Sequence, residues 1–177
     1  PTLEDFNLGA LPIGTCVPVQ WNMTGTSAWS TPWLFAGNPL GAAGSTARAS
    51  GTYAWIDFSG TQASPTLTAE NIDVSNLTAP EIVFDYFSDY GAYTFPAGSG
   101  IVNNILYVEA FDGTAWNTVA TLQLDSAGWN TYIFSLAGHS YGASIVSLRF
   151  RAESGGDSYD YFNDLLLDNV RVMDVIY

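Results

Sequence analysis

The sequence predicts an all-β protein built as an antiparallel two-sheet β-sandwich of the jelly-roll type. Candidate strands are short, rich in aromatic and β-branched residues, and separated at a spacing of about ten residues by Gly, Pro, Asn, Asp and Ser. Helical periodicity is never sustained beyond roughly two turns. The pair Asp112-Gly113 between two such segments is typical of a β-hairpin turn. Together these observations favour a sandwich over any helical architecture.

Each predicted strand is a run of apolar or alternating residues that ends at turn-forming residues. In chain order the segments are Leu3–Asn7, Val19–Met23, Trp29–Phe35, Thr52–Phe58, Thr66–Val74, Glu81–Phe87, Ile105–Phe111, Trp116–Leu124, Trp129–Leu136, Ile145–Ala152 and Leu165–Val175. Two of them alternate clearly. In Glu81–Phe87, every second residue is large and apolar, and in Ile145–Ala152 the residues opposite the apolar ones include Arg149 and Arg151. This alternation predicts two arginines on the outer face of one strand.

Composition and charge narrow the possible partners. The 177 residues include 17 acidic side chains against four basic ones, which gives a net charge of −13. Such a charge excludes nucleic acid as a natural partner and disfavours anionic membranes, because both need a basic surface. No apolar run is long enough to insert into a membrane. The charge suits an extracellular, cation-rich medium, and it equally suits simple solubility of a loop-rich β protein.

Length and cysteine content indicate how the chain is organised. We expect residues 1–177 to form a single β-sandwich domain, excised from a larger secreted protein. The only cysteine, Cys16, rules out an internal disulfide and is expected to be a buried, inert thiol. No internal repeat or domain-splitting linker is evident.

The last predicted strand carries an acidic residue in an apolar pattern. Asp168 has the same alternation phase as Leu166, Val170 and Val172, so it should point inward if those residues do. A buried carboxylate is costly unless it meets a cation or several hydrogen-bond donors. The partner is therefore either a metal ion or an arginine and backbone amides, and Arg48 is the natural arginine partner.

Aromatic residues are abundant, and some of them lie in loop-like segments. Exposed aromatic faces stack on sugar rings, while Asp, Asn and Arg hydrogen-bond to sugar hydroxyls. The alternative is that these rings close the edges of the sandwich. The aromatic residues that we predict to bind a ligand are Trp29, Trp33, Tyr90, Tyr93, Tyr159 and Tyr161.

Catalysis finds no support in the motifs. The sequence contains no nucleophile elbow, metalloprotease helix or phosphate-binding loop. Pairs of acids such as Asp157 and Asp160 resemble a glycosidase pair, but their separation in space cannot be read from sequence. We therefore expect a protein that is not an enzyme.

A series of motifs along the chain resembles the MAM family and its relatives, the bacterial adhesin-like and carbohydrate-binding jelly rolls of secreted proteins. The motifs that carry the resemblance are, in order, Glu4-Asp-Phe-Asn7, Gly51-Thr-Tyr-Ala-Trp-Ile-Asp57, Ile82-Val-Phe-Asp-Tyr-Phe87, Leu106-Tyr-Val-Glu109, Trp129, Leu148-Arg-Phe-Arg151 and Asn163-Asp-Leu-Leu-Leu-Asp-Asn-Val170. The paired cysteines of vertebrate MAM domains are missing, which favours a bacterial, disulfide-free relative.

The resemblance implies that the first and last strands meet and that a structural calcium ion ties them together. Calcium takes its ligands from carboxylates, amide oxygens and main-chain carbonyls. The oxygen donors on the segments that the family brings together are Asp5, Asn7, Asp57 and Asp168.

For function, the resemblance and the aromatic residues point to a non-catalytic binding module of a secreted or cell-surface bacterial protein, which recognises a polysaccharide or other glycan. The alternative is a protein–protein adhesion or structural spacer domain of MAM type, with a protein as partner. A glycan-cleaving enzyme is the third possibility. The expected location is extracellular or at the cell surface.

Overall fold

Two antiparallel sheets form the protein, which confirms the predicted β-sandwich. The computed structural model describes residues 21–25, 33–35, 48, 53–59, 64–88, 95–100, 102–124, 128–140, 144–156 and 159–174, and only the backbone of residues 2–4. These residues contain no α-helix, and a single turn of 3₁₀ helix spans Asp160–Phe162. No helix in the described part of the chain is long and apolar enough to cross a membrane.

The strands divide into two sheets of five. The first sheet contains β1 (Thr2–Glu4), β3 (Ala54–Ile56), β5 (Pro80–Phe87), β8 (Asn130–Ser135) and β10 (Leu165–Asp174), in the order β1-β10-β5-β8, with β3 also paired to β10. The second sheet contains β2 (Trp21–Thr24), β4 (Thr66–Asp73), β6 (Ile105–Phe111), β7 (Trp116–Leu122) and β9 (Ile145–Glu153), in the order β2-β4-β9-β6-β7. Sequence neighbours therefore often lie in opposite sheets, as expected for a jelly roll.

The core lies between the sheets and follows the predicted alternation. Ile82, Phe84 and Tyr86 of β5 are all fully buried, and they face the apolar side chains of β9. Phe84 packs edge-on against Phe150, with ring centroids 5.2 Å apart and an interplanar angle of 75°. Each fully buried side chain of this size contributes about 1.5–3 kcal/mol relative to exposure. The facing apolar side chains of β5 and β9 therefore help to hold the two sheets together.

The predicted strand at Trp29–Phe35 is not a strand where the structure describes it. Leu34 forms an isolated bridge with Trp55, with N–O distances of 2.8 Å in both directions. Residues 29–32 lie outside the described residues. Leu34 therefore packs on the first sheet without extending it.

The opening and closing strands are neighbours. β1 pairs with β10 in antiparallel register, with Glu4 opposite Val170. The prediction that both ends of the polypeptide meet is confirmed at this pair.

A β-bulge in β10 gives Asp168 an orientation that differs from the predicted one. The register with β5 shifts between Asp168 and Arg171, and Asn169 adopts a left-handed backbone with φ of 51°. An extra residue reverses the alternation of the strand. Val170 and Val172 therefore face the core, whereas Asp168 points to the outer face of the first sheet. The shared phase predicted for these residues was wrong.

The predicted hairpin turn connects β6 to β7. Asp112 Oδ1 accepts hydrogen bonds from the amides of Thr114 and Ala115, both at 2.8 Å, and Gly113 has a φ of 94°. Asn117 Nδ2 donates to the other carboxylate oxygen of Asp112 at 2.8 Å. These bonds hold the carboxylate ionised and keep the pKa of Asp112 below its usual value. The turn fixes Trp116 directly opposite Phe111.

Candidate functional site

The outer face of the second sheet carries aromatic and charged side chains side by side. Because strand residues alternate between faces, the core-facing residues of β6 and β9 leave their neighbours pointing outward. We call this surface the polar–aromatic face and define it by Tyr107, Glu109, Phe111, Trp116, Arg149 and Arg151.

The register of the strands arranges these residues in rows. Tyr107 lies opposite Arg151, and Glu109 lies opposite Arg149. Flanking positions carry threonines: Thr68 on β4 is the partner of Arg149, and Thr118 on β7 is the partner of Glu109. The face thus combines rings, charges and hydroxyls within directly adjacent strands.

Glu109 is the centre of the charge network. Its side chain accepts a hydrogen bond from Arg149 Nε at 2.5 Å, and it accepts bonds from Arg151 Nε at 3.2 Å and from Arg151 Nη2 at 3.1 Å. Burial on its own would raise the pKa of Glu109, but the bonds from Arg151 and Arg149 outweigh burial and hold the pKa below its usual value. The carboxylate is therefore ionised at neutral pH.

Both arginines also lie over aromatic rings. The guanidinium carbon of Arg149 is 4.5 Å from the centre of the Trp116 ring, and that of Arg151 is 4.0 Å from the centre of the Tyr107 ring. Arginine stacks on rings while its edge donates hydrogen bonds. The stacking therefore holds the rings and the charges in one rigid arrangement.

A cleft opens at one end of this face. It has a volume of about 270 Å³ and is lined by Glu70, Asn71, Phe111, Trp116 and Ser147. The register between β4 and β9 shifts beyond Ala69, where Asn71 takes a φ of 59°, and its amide donates to Ser147 Oγ at 3.1 Å. A bulge of this kind redirects side chains at the edge of a sheet. It brings a carboxylate and an amide beside two aromatic rings.

This combination of groups suits polyhydroxylated ligands. The rings of Phe111 and Trp116 lie 5.4 Å apart and are half-buried, so part of each ring faces solvent. Ring faces stack on the apolar C–H surface of a sugar, and neighbouring amide, hydroxyl and carboxylate groups accept and donate hydrogen bonds to its hydroxyls. The face therefore carries the kinds of group that non-covalent saccharide binding uses.

The outer face of the first sheet is built differently. A second apolar cluster covers it, formed by Leu34, Tyr53, Trp55, Phe87 and Leu166, whose exposed fractions range from 0 to 4%. Trp129 packs against Tyr53 and Phe87 in the same cluster. These rings are covered by the chain itself and offer little surface to a ligand.

Asp168 lies beside this cluster and pairs with Arg48, the arginine partner that the sequence offered as an alternative to a metal. Arg48 also donates to Asp85 Oδ2 at 2.7 Å and stacks over Trp129 at 3.9 Å. Burial raises the pKa of Asp168 to about 6, aided by nearby Asp85 and opposed by the Asn169 amide and by Arg48. One guanidinium thus serves two carboxylates that lie directly opposite each other.

The pKa of Asp85 shifts in the opposite direction to that of Asp168. Burial favours its neutral form, but hydrogen bonds from Thr131, Arg48 and Asn169 outweigh burial and lower its pKa. The Thr131 hydroxyl donates at 2.7 Å and Asn169 Nδ2 donates at 2.8 Å. The cluster therefore concentrates its donors on Asp85.

The predicted calcium ligands are only partly described. Asp57 is 1% exposed and sits at the end of the β3–β10 pair, next to the fully buried Asp164, which accepts the Phe58 amide at 3.3 Å. Asp5 and Asn7 lie outside the described residues. Among the described residues, no three His, Cys, Asp or Glu side chains group as a metal site would require.

Arg48 occupies the carboxylate of Asp168, so the predicted set of four ligands does not fit as a whole. Asp57 and Asp164 provide carboxylate oxygens of the kind that calcium prefers, at the end of the first sheet. Calcium therefore stays a prediction, with Asp57 as the predicted ligand best placed to serve it.

The predicted ligand-binding aromatics are not brought together in the described part of the chain. Trp29, Tyr90 and Tyr93 lie outside the described residues. Trp33 is fully buried, so its ring has no face for a sugar, and this prediction was wrong because the ring packs into the core.

Tyr159 directly precedes the 3₁₀ helix at one end of the sandwich, and Tyr161 lies within that helix. Tyr161 is 39% exposed, whereas Tyr159 packs edge-on against Phe95 at 5.3 Å. Buried amides anchor this segment: Asn104 Nδ2 donates to the carbonyl of Asp160 at 2.7 Å, and the Asn104 amide donates to Asn163 Oδ1 at 2.9 Å. Tyr161 remains a predicted contact that the described structure leaves accessible.

Sequence reasoning missed the aromatic members of the polar–aromatic face, although a signal was present. In Ile105–Phe111, the residues opposite Leu106, Val108 and Ala110 include Tyr107 and Phe111. Aromatic residues on the outward phase of a strand are the pattern that marks such a face. The outward orientation of Arg149 and Arg151, by contrast, was predicted and is confirmed.

Solved structures that share this fold include adhesin and carbohydrate-binding domains. Two are the K1 and K3 cleaved adhesin domains of Lys-gingipain from Porphyromonas gingivalis W83, with 14% and 16% sequence identity and TM-scores of 0.62 and 0.61. The K1 match covers 99% of this chain and 98% of that domain, and the K3 match covers 98% of each. A third is TmCBM61 in complex with β-1,4-galactotriose, with 8% identity, a TM-score of 0.53, and coverage of 89% of this chain and 90% of that one.

At these identities the comparisons establish the fold alone. No protein-family model matches the chain, and no curated protein matches its sequence. The structural neighbours are therefore adhesin and carbohydrate-binding sandwiches, while the more specific MAM-like assignment stays a prediction.

Proposed function

We propose that this chain is a non-catalytic binding module of a secreted or cell-surface bacterial protein and that it recognises a glycan through the polar–aromatic face. The module would be one domain of a larger protein. Its net charge of −13 suits an extracellular medium rich in cations.

One observation carries the proposal: the half-buried rings of Trp116 and Phe111 border an open cleft of about 270 Å³ beside Asn71 and Glu70. Stacking surfaces and hydroxyl-binding groups converge there on a rigid sheet. Sites built on strands hold their groups more firmly than sites built on loops. The corresponding face of the first sheet is covered by its own apolar cluster.

The structural neighbours support the proposal in kind. TmCBM61 was solved with a bound galactotriose, and a sandwich of the same fold is thus known to hold a saccharide. Fold likeness does not transfer a ligand, so the choice of face rests on the residues of this chain.

The charge state of Glu109 argues for binding over hydrolysis at this face. A glycosidase needs a carboxylic acid with a raised pKa to protonate the leaving oxygen. Glu109 has a lowered pKa and is held by Arg149 and Arg151. It is therefore a positioned anion and a poor general acid.

A second candidate function is adhesion to a protein partner or a spacer role, which the adhesin-domain neighbours favour. An adhesive module of this kind would bury a large surface on self-association or on a partner. Light scattering over a concentration series, combined with the glycan assay below, separates the two functions.

Affinity electrophoresis tests the proposal. The protein is run in native gels cast with β-1,4-galactan, xylan or hydroxyethyl cellulose, and we expect at least one polymer to retard it. Trp116→Ala should reduce the affinity for that polymer by at least about tenfold, which corresponds to about 1.4 kcal/mol. Trp129→Ala, which removes the same side chain from the other sheet, should leave the affinity within about twofold.

Two results would overturn the proposal. One is the absence of retardation in every neutral and acidic polysaccharide gel. The other is a loss of retardation in Trp129→Ala with normal binding by Trp116→Ala, which would move the site to the first sheet. Melting curves of both variants establish that any loss does not come from unfolding.

A further inference from the structure

We infer that the polar–aromatic face selects uncharged saccharides over carboxylated or sulfated ones, and that Glu109 is the residue that sets this preference. The inference rests on the proposed function and specifies its ligand class. Two arginines on a binding face would ordinarily indicate an anionic ligand, since guanidinium groups match carboxylate and sulfate geometry.

Both arginines donate hydrogen bonds to glutamates of the protein itself, Arg151 through all three of its side-chain nitrogens and Arg149 through Nε. Arg149 Nε donates to Glu109 at 2.5 Å, and Arg151 donates through two nitrogens to the same carboxylate. The remaining nitrogen Nη1 of Arg151 pairs with Glu153. Arginine has five N–H donors, and the edge of the Arg151 guanidinium that faces the sheet is used by the protein itself.

The flat faces of the guanidinium groups are also engaged. Arg149 lies over Trp116 and Arg151 lies over Tyr107, at 4.5 and 4.0 Å from the ring centres. An anionic ligand at Arg151 would therefore have to displace Glu109 or Glu153, which replaces one charged hydrogen bond with another and gains little. An anionic ligand at Arg149 would meet a guanidinium whose charge Glu109 already neutralises, which weakens the attraction.

The charge balance of the surface adds repulsion. The described charges on and beside the face are two arginines against Glu70, Glu109 and Glu153. Glu70 is exposed and lines the cleft, so it meets any ligand that stacks on Trp116. The whole chain repels polyanions as well, through its charge of −13.

Other groups on this face are suited to the hydroxyls and C–H surfaces of sugars. They include the solvent-facing parts of the half-buried Trp116 and Phe111 rings and the exposed residues Thr118 and Thr121 on β7. Uncharged saccharides offer C–H faces and hydroxyl groups that match these partners without a charge to neutralise.

The experiment compares neutral and acidic polymers with matched backbones. Native gels contain either hydroxyethyl cellulose or carboxymethyl cellulose, and either β-1,4-galactan or the same galactan oxidised at C6 to the carboxylate. We expect neutral gels to retard the wild-type protein and acidic gels to leave its mobility unchanged, after correction against a non-binding reference protein of similar charge.

Glu109→Gln should release both guanidinium groups and raise the affinity for an acidic polymer by at least about tenfold. Asp73→Asn is the matched control: it removes one negative charge from the end of β4, and asparagine can keep the hydrogen bond that Asp73 accepts from the Ser75 amide. A gain in Glu109→Gln that exceeds the control is the expected result. Glu153→Gln, at a more exposed side chain, should give a smaller gain and does not depend on the fold tolerating a change at Glu109.

Wild-type protein that is retarded by acidic gels would overturn this inference and leave the proposed function intact. Equal behaviour of Glu109→Gln, Glu153→Gln and Asp73→Asn, with all three folded by melting analysis, would also overturn it. Wild-type protein that no gel retards would remove the proposed function and this inference with it.

Discussion

The two outer faces of the sandwich both combine arginine, acidic and tryptophan side chains, but they arrange these side chains differently. On the first sheet, one arginine, Arg48, serves Asp85 and Asp168 and lies over a tryptophan at 3.9 Å. On the second sheet, two arginines share Glu109, and one of them lies over a tryptophan at 4.5 Å.

The number of donors that each carboxylate accepts from decides which way its pKa shifts. At Asp168, which shares one guanidinium with Asp85, burial wins and raises the pKa to about 6. At Glu109, hydrogen bonds from two guanidiniums outweigh burial and lower the pKa. Similar residues therefore shift the pKa of a carboxylate upward on one face and downward on the other.

The faces also differ in what covers them. The five cluster residues on the first sheet are only 0–4% exposed, so this cluster acts as a small second core. The rings of the second sheet are half-buried and border a cleft. This difference is the reason that we propose a binding role for the second face and not for the first.

The largest expected effect comes from removing the shared carboxylate of the second sheet. Glu109→Ala should lower the free energy of unfolding by about 2–3 kcal/mol, because it removes the carboxylate shared by two partly buried guanidiniums and leaves only Glu153, which pairs with Arg151. Asp168→Ala should cost about 1 kcal/mol or less, since Arg48 keeps its bond to Asp85. Urea denaturation measures both values, and an equal cost would contradict the contrast between the faces.

The pH dependence of stability should have opposite signs for the two carboxylates. The pKa of Asp168 is raised in the folded protein, so its ionisation opposes folding, and its contribution to stability improves as the pH falls from about 6 to 4. The pKa of Glu109 is lowered, so its stabilisation is present above its unfolded pKa and is lost as the pH falls through the folded pKa.

Difference curves isolate these two contributions. The free energy of unfolding of the wild-type protein minus that of Asp168→Asn should rise by about 2 kcal/mol as the pH falls from 6 to 4, because each pKa unit is worth about 1.4 kcal/mol and solvent screens part of it. The same difference for Glu109→Gln should fall at acidic pH. Parallel curves would show that the different donor sets of Asp168 and Glu109 do not control the protonation of these two groups.

Removal of calcium by a chelator should have a smaller effect on stability. It tests whether the first sheet has a structural role that is separate from glycan binding. If calcium binds beside Asp57, removing it should lower the free energy of unfolding by about 1.4 kcal/mol when free calcium was at ten times the dissociation constant. Glycan retardation in gels run below the melting temperature should not change, since Asp57 belongs to the first sheet. Asp57→Asn should abolish the response to chelator, and a melting curve indifferent to calcium would end the metal prediction.

Much of the fold could be predicted because it depends on local patterns. The strand Ile105–Phe111 follows from its alternation and from the Asp112-Gly113 turn, and its observed bounds match those predicted. The orientation of Arg149 and Arg151 follows from the same period of two.

What could not be predicted depends on bulges and on contacts distant in sequence. One extra residue at Asn169 reversed the orientation inferred for Asp168, and no periodicity argument anticipates such an insertion. The burial of Trp33 depends on a bridge between Leu34 and Trp55, which are far apart in the chain. The sequence indicated Arg48 as a possible partner of Asp168, but only the structure shows that Arg48 also pairs with Asp85.

Nuclear magnetic resonance of the tryptophan side chains tests the central claim most directly. The chain has six tryptophans, so its indole N–H signals are few enough to resolve, and Trp116→Phe and Trp129→Phe variants assign the two of interest. On titration with an oligosaccharide from the polymer that gives the strongest retardation, the Trp116 signal should shift to saturation while the Trp129 signal stays in place. A shift of Trp129 with an unmoved Trp116 would contradict the claim that the second sheet carries the binding face.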